Sequence, residues 1–223
     1  MLRRVQHQTP VAYPAYPLPL ELYSLVAQLP IGFRRIALKG AVSIELLTII
    51  CRVSDVQAIL AKTKSRSATA AELKFLHLYQ PESELQEGFD CLRRLQSSSI
   101  TLEHCLCLAV MVFTNLSFNV MRFGSLWHRL RDGLMHAVLE CTAGQYEDDC
   151  LLWTMSMAVW SWEGRLGLGK PGQRMLEIML ARYPITRTLD CIKEIVRDFL
   201  WTDELGKHLQ KCWKDSSGAG HCK

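Results

Sequence analysis

The stretch DDCLLWTMSMAVWSWE, residues 148–163, decides the reading of this chain. It is apolar at nearly every step, carries three of the six tryptophans and opens on two carboxylates. A helix that is apolar all round leaves no face for water, so it is predicted to be central and covered on several sides. Asp148 and Asp149, with Glu147 before them, suit the start of such a helix, where negative charge meets the positive end of the dipole. The tryptophans read as packing. Aromatic stacking on nucleic acid comes with interleaved Lys or Arg, and this stretch has neither before Arg165.

Working outward, the rest of the chain has helical spacing. A first helix is expected over residues 20–28 and a short one over 33–39, with Gly40 as its stop. Ser43 is a natural N-cap for a longer helix with Leu46, Leu47, Ile50, Val53, Val56 and Leu60 inward. Residues 62–72 read as a polar connection. Lys62, Lys64 and Arg66 there resemble a weak nuclear-import signal, and a solvated loop is the simpler reading. Helices follow over 70–79 and 82–95. Another, capped by Thr101, is nearly all apolar to about Phe118 and forms a second buried element.

From Gly124 or Ser125 a further helix places Leu126, Leu130, Leu134, Val138 and Leu139 inward and Arg129, Arg131 and Asp132 outward. GRLGLGKPGQR, residues 164–174, reads as a loop, followed by helices over 175–183, 189–201 (capped by Thr188) and 203–213. No segment alternates with period two. The predicted fold class is therefore all-α: one domain of about nine or ten helices over residues 20–213. A Pro/Tyr-rich arm (1–19), extended or polyproline-like, precedes it, and a disordered tail (214–223) follows.

Composition fits this picture. The chain has 223 residues, 49% of them hydrophobic and 22% charged, with a formal net charge of +4. That charge is too mild to argue for nucleic acid, which is met by clustered basic faces. The nine cysteines are irregularly spaced and include no CxxC, so they read as buried free thiols and not as a metal or redox motif. The longest apolar run, residues 105–113, is far short of a membrane span of ~20 residues. A soluble intracellular protein without membrane contact is expected.

Catalytic signatures are weak. The glycine-rich loop fails as a phosphate loop, because Lys170 is followed by Pro171 where Ser or Thr must hold magnesium. The seven histidines form no HExxH and no complete zinc set with the cysteines. No catalytic, cofactor or metal residues are predicted, and an enzyme is not expected. A Cys–His nucleophile pair stays open, since such partners meet in space and not in sequence.

Three pieces together resemble a family. LPIGFRRIALKGAVSIELL (29–47), EHCLCLAVMVFTNL (103–116), and LLWTMSMAVW (151–160) with FLW (199–201) and KCW (211–213) are similar to motifs of one helical region. That region is the C-terminal regulatory part of fungal zinc-cluster transcription factors, the fungal-specific transcription factor domain. The positions that carry the resemblance are Gly32, Phe33, Leu152, Trp153, Phe199, Leu200, Trp201 and Trp213. The resemblance implies a transcription regulator in the nucleus, with a cytoplasmic location as the other possibility. It would act through protein partners: itself, another transcription factor or a coregulator. No cysteine occurs before Cys51, so the six-cysteine zinc cluster of these factors is missing from the sequence, and no specific DNA binding is expected of the chain. The competing expectation is a helical enzyme or small-molecule-binding protein of a biosynthetic pathway.

Overall fold

The computed structural model describes residues 12–15, 18–95, 101–121, 124–141, 148–164, 167–183 and 188–218. Among them run eleven helices: α1 (Leu20–Gln28), α2 (Ile31–Ala37), α3 (Ile44–Lys64), α4 (Ala70–Leu78), α5 (Pro81–Arg94), α6 (Leu102–Phe118), α7 (Ser125–Glu140), α8 (Asp148–Ser161), α9 (Lys170–Arg182), α10 (Leu189–Arg197) and α11 (Asp203–Gly218). The all-α class holds, with more helices than the nine or ten expected.

α8 is the central helix. Every residue from Cys150 to Ser161 is buried, and α2, α6, α7, α9, α10 and α11 pack around it. Its polar side chains are satisfied within the helix: Thr154 Oγ1 donates to the Cys150 carbonyl at 2.9 Å and Ser156 Oγ to that of Leu152 at 2.9 Å. This back-bonding lets hydroxyls enter a dry core without an unpaired donor. α6 is the second buried element, closed throughout from Leu102 to Asn115 except at His104.

Local chemistry sets the ends. Ser43, Thr101 and Thr188 each accept a backbone N–H with the side chain, as expected of N-caps. Thr69 and Glu72 form a reciprocal capping box at the start of α4. Gly40 stops the chain after α2 with φ at 66°. In the arm, the described residues 12–15 lie along the starts of α3 and α6: Ile44 N–H donates to the Ala12 carbonyl at 2.8 Å and the Tyr13 hydroxyl to Glu103 Oε2 at 2.6 Å. The remainder of residues 1–17 and the span from Ala219 onward lie outside the described residues, as does Glu147.

Several expectations are corrected. α3 runs on to Lys64, so the connection to α4 is shorter than residues 62–72. In α7 the inward face is Trp127, Leu130, Leu134, Ala137 and Val138, while Leu126 and Leu139 are 44% and 49% exposed. Tryptophan at 127 outweighs leucine at 126 and shifts the stripe. Arg131, expected outside, lies over the Trp162 ring at 3.5 Å. Residues 164–174 are not one loop. Glu163–Gly164 and Gly167–Leu168 pair antiparallel in a two-residue ladder, and α9 begins at Lys170 with Pro171 in its first turn. α10 ends at Arg197, short of Trp201, and α11 continues past Trp213 to Gly218, into the part expected to be disordered.

Candidate functional site

Five of the eight positions that carry the resemblance, Gly32, Phe33, Trp153, Phe199 and Leu200, meet beside α8. The early end of α10 frees backbone carbonyls that a continuing helix would have used. The Asp198 carbonyl accepts from Gly32 N–H at 2.7 Å, and the Leu200 carbonyl accepts from the Trp153 indole N–H at 3.0 Å. Three distant segments are thereby tied by two directional bonds in a buried setting.

Aromatic packing closes the same junction. Phe33 meets Trp153 edge-on at 5.2 Å and Phe199 edge-on at 5.0 Å, while Trp153 and Phe199 stack at 5.8 Å and 22°. These are the arrangements that the aromatic quadrupole favours. Phe113 and Trp160 extend the cluster into α6 and along α8, 6.2 Å apart. Gly32 is required here: a Cβ at that position would stand 2.6 Å from the Phe199 ring. Leu152 and Leu200 are buried alongside. Trp201 and Trp213 are half-buried against the core, and Arg197 lies 5.1 Å over the Trp201 ring.

Outside the junction, Arg35 links Asp198 at 3.3 Å and Asp149 in the first turn of α8 at 3.6 Å. These groups are exposed or half-exposed, so the pairs add at most about 1 kcal/mol each.

A second cluster went unseen in the sequence. Glu163, His208 and Cys212 meet where the hairpin touches α11. His208 Nδ1 lies 2.6 Å from Glu163 Oε2, and Cys212 Sγ lies 3.2 Å from His208 Nε2. The order carboxylate–imidazole–thiol is that of an oriented nucleophile. The geometry argues otherwise. Sγ is also 3.8 Å from Nδ1, so the sulfur sits over the ring face and not along the Nε2 lone pair. Both Cys212 and His208 are 3% exposed, which leaves a substrate no approach. Burial pushes the imidazole below its ordinary value, against the opposing pull of Glu163. The cluster is a buried polar clasp, completed by Lys211 on Glu163 at 3.2 Å. The i, i+4 spacing of His208 and Cys212 was the available signal; the partner Glu163 was not visible from it.

Among the described residues, no group of three or more His, Cys, Asp or Glu is placed to hold a metal ion. The eight described cysteines are free thiols, all buried except Cys191, which is half-buried. Cys105 and Cys107 donate to the carbonyls of Ala137 and Gly88. No described helix is long and apolar enough to cross a membrane.

Among the described residues, α4 presents apolar side chains at the surface, as the start of α1 does with Leu20 and Tyr23. α4 buries none of its residues, and Leu73, Phe75 and Leu78 are 47%, 43% and 66% exposed. Of the nearby cations, Lys62 and Lys64 end α3 and pair with Glu72 and Asp203, while Arg66 precedes α4 and Lys74 lies on it.

No family model, curated protein or solved structure matches the chain.

Proposed function

We propose that this chain is a helical regulatory domain of the fungal transcription factor type, acting in the nucleus through protein contacts. The observation that carries the reading is the junction at α8. Gly32, Phe33, Trp153, Phe199 and Leu200 were singled out as motif positions from three separate stretches, and they touch one another in the fold. Their meeting at two hydrogen bonds and one aromatic cluster supports reading the separate motifs as parts of one unit.

The exposed face of α4 supports a protein partner. Apolar side chains beside Arg66 and Lys74 suit an amphipathic segment that is apolar on one side and acidic on its flanks. The same cations disfavour pairing of α4 with itself in a second copy.

A reporter experiment tests the proposal. The chain is fused to an unrelated sequence-specific DNA-binding module and expressed in a fungal host. A several-fold change in reporter transcription relative to the module alone is expected. Equal output, with the fusion present in the nucleus at the same level, would overturn it.

A further inference from the structure

We propose that a cavity between the C-terminal ends of α3, α6 and α8 and the start of α11 binds a small organic cation with an apolar body. The site goes beyond the regulatory reading and does not depend on it.

The cavity holds about 390 Å³ and is lined from four helices and the segment before α11. That size lies in the range of small-ligand sites, which are mostly apolar with a few placed polar groups. Leu60, Leu116, Trp160 and Trp201 supply the apolar wall. Leu60, on the inward stripe of α3, is half-buried and borders the cavity.

The charge pattern selects the ligand. Lys64 ends α3, Ser117 is in the last turn of α6, and Trp160 is in the last turn of α8. Helix C-termini carry a partial negative charge of roughly half an electron. Asp203 and Glu204 line the opposite side; they lie in the first turn of α11, offset its positive end and leave the wall net acidic. Their helix start is already capped by Thr202 Oγ1, which accepts Leu205 N–H at 3.1 Å, so neither acid is needed for that bond. Lys64 is the one cation among the lining residues.

The protein's own cations show the preference. Lys64 Nζ stands 4.0 Å from Asp203, with both side chains largely exposed, a pair that water and salt weaken. Arg197 lies over the Trp201 ring. Tryptophan faces attract cations, more so where water is excluded. A ligand ammonium can take the place of Lys64 Nζ beside Asp203 while its apolar part fills the space against Trp160 and Leu116. Ser117 and Thr202 complete the polar part of the wall.

Three probes with one apolar body separate charge from apolar fit: phenethylammonium, 2-phenylethanol and 3-phenylpropionate. Titration of the full chain by calorimetry, with chemical shifts of labelled tryptophan indoles as the second readout, is expected to rank cation above alcohol above anion. The expected gap between cation and alcohol is about tenfold. Asp203→Asn with Glu204→Gln should weaken the cation several-fold and leave the alcohol unchanged. Lys64→Met should strengthen the cation. These side chains are exposed, so circular dichroism should show the variants folded. Equal binding of cation and alcohol, no cation binding at millimolar concentration, or cation binding that ignores all three substitutions would each overturn the proposal.

Discussion

Replacing Trp153 probes the junction most severely. The side chain is fully buried, touches Phe33, Phe113 and Phe199, and donates its indole N–H to the Leu200 carbonyl at 3.0 Å. Truncation to alanine removes the ring contacts and leaves a cavity, which costs about 3–5 kcal/mol. It also leaves the buried Leu200 carbonyl unpaired, at about 1–3 kcal/mol. The sum, about 4–8 kcal/mol, is comparable with the total stability of about 5–15 kcal/mol expected of a domain. Trp153→Ala should therefore unfold wholly or nearly so at 25 °C. Trp153→Phe keeps a ring against Phe33 and Phe199 but loses the donor, so it should fall between the two. Urea titration followed by far-ultraviolet circular dichroism reads both without relying on tryptophan emission. An alanine variant within about 1 kcal/mol of the parent would refute the reasoning, because no fully buried tryptophan at a packed centre is that cheap to remove.

Gly32→Ala should destabilise by about 1–3 kcal/mol, since its Cβ would overlap the Phe199 ring. Gly133→Ala, inside α7 with only Leu108 Cδ2 at 4.0 Å from the new Cβ, is the matched helical control and should be neutral or slightly stabilising by the same urea titration. Stability should fall as pH drops from about 7 to 5.5. His208 has a lowered folded value, so the unfolded chain takes its proton more readily, and the contribution is lost as pH falls from the unfolded value near 6.5 toward the folded one. His208→Gln should flatten this slope without abolishing it, because burial lowers His104 in the same direction. Glu84 and Asp55, raised by burial, act with the opposite sign around and above the ordinary carboxylate range, so the test stays above pH 5.5. Phe75→Ser with Leu78→Ser, on the exposed face of α4, should lower stability by no more than about 1–2 kcal/mol in total, because Phe75 is 43% exposed and also packs on Tyr79 at 6.4 Å.

The architecture was legible where the signal is local and one-sided. An apolar run with acids at its start is a buried helix, and α8 begins at Asp148 as the stretch suggests but ends at Ser161, before Trp162 and Glu163. Ser43, Thr101 and Thr188 announced helix starts because their hydroxyls replace missing carbonyl partners. The misreadings arose where tertiary contact decides. Gly172 looked like loop chemistry, yet α9 runs through it, since a Cβ there would strike Leu168 and Trp162. Arg131 looked like a solvated charge, but its flat guanidinium lies on Trp162, which its neighbours in sequence do not reveal. The break after Arg197 is another case. Periodicity carries on to Trp201, whereas the Gly32 and Trp153 donors, each more than 40 residues distant, take the Asp198 and Leu200 carbonyls. Motif positions were thus readable one by one, but their meeting point was not.

The reporter fusion carrying Phe75→Ser and Leu78→Ser tests the central claim most directly, because it removes the proposed contact face and leaves the core intact. Reporter output should return toward that of the DNA-binding module alone, while the purified variant stays folded, losing at most about 1–2 kcal/mol by urea titration. Output equal to the unsubstituted fusion, at equal nuclear level, would contradict a regulatory domain that works through this face.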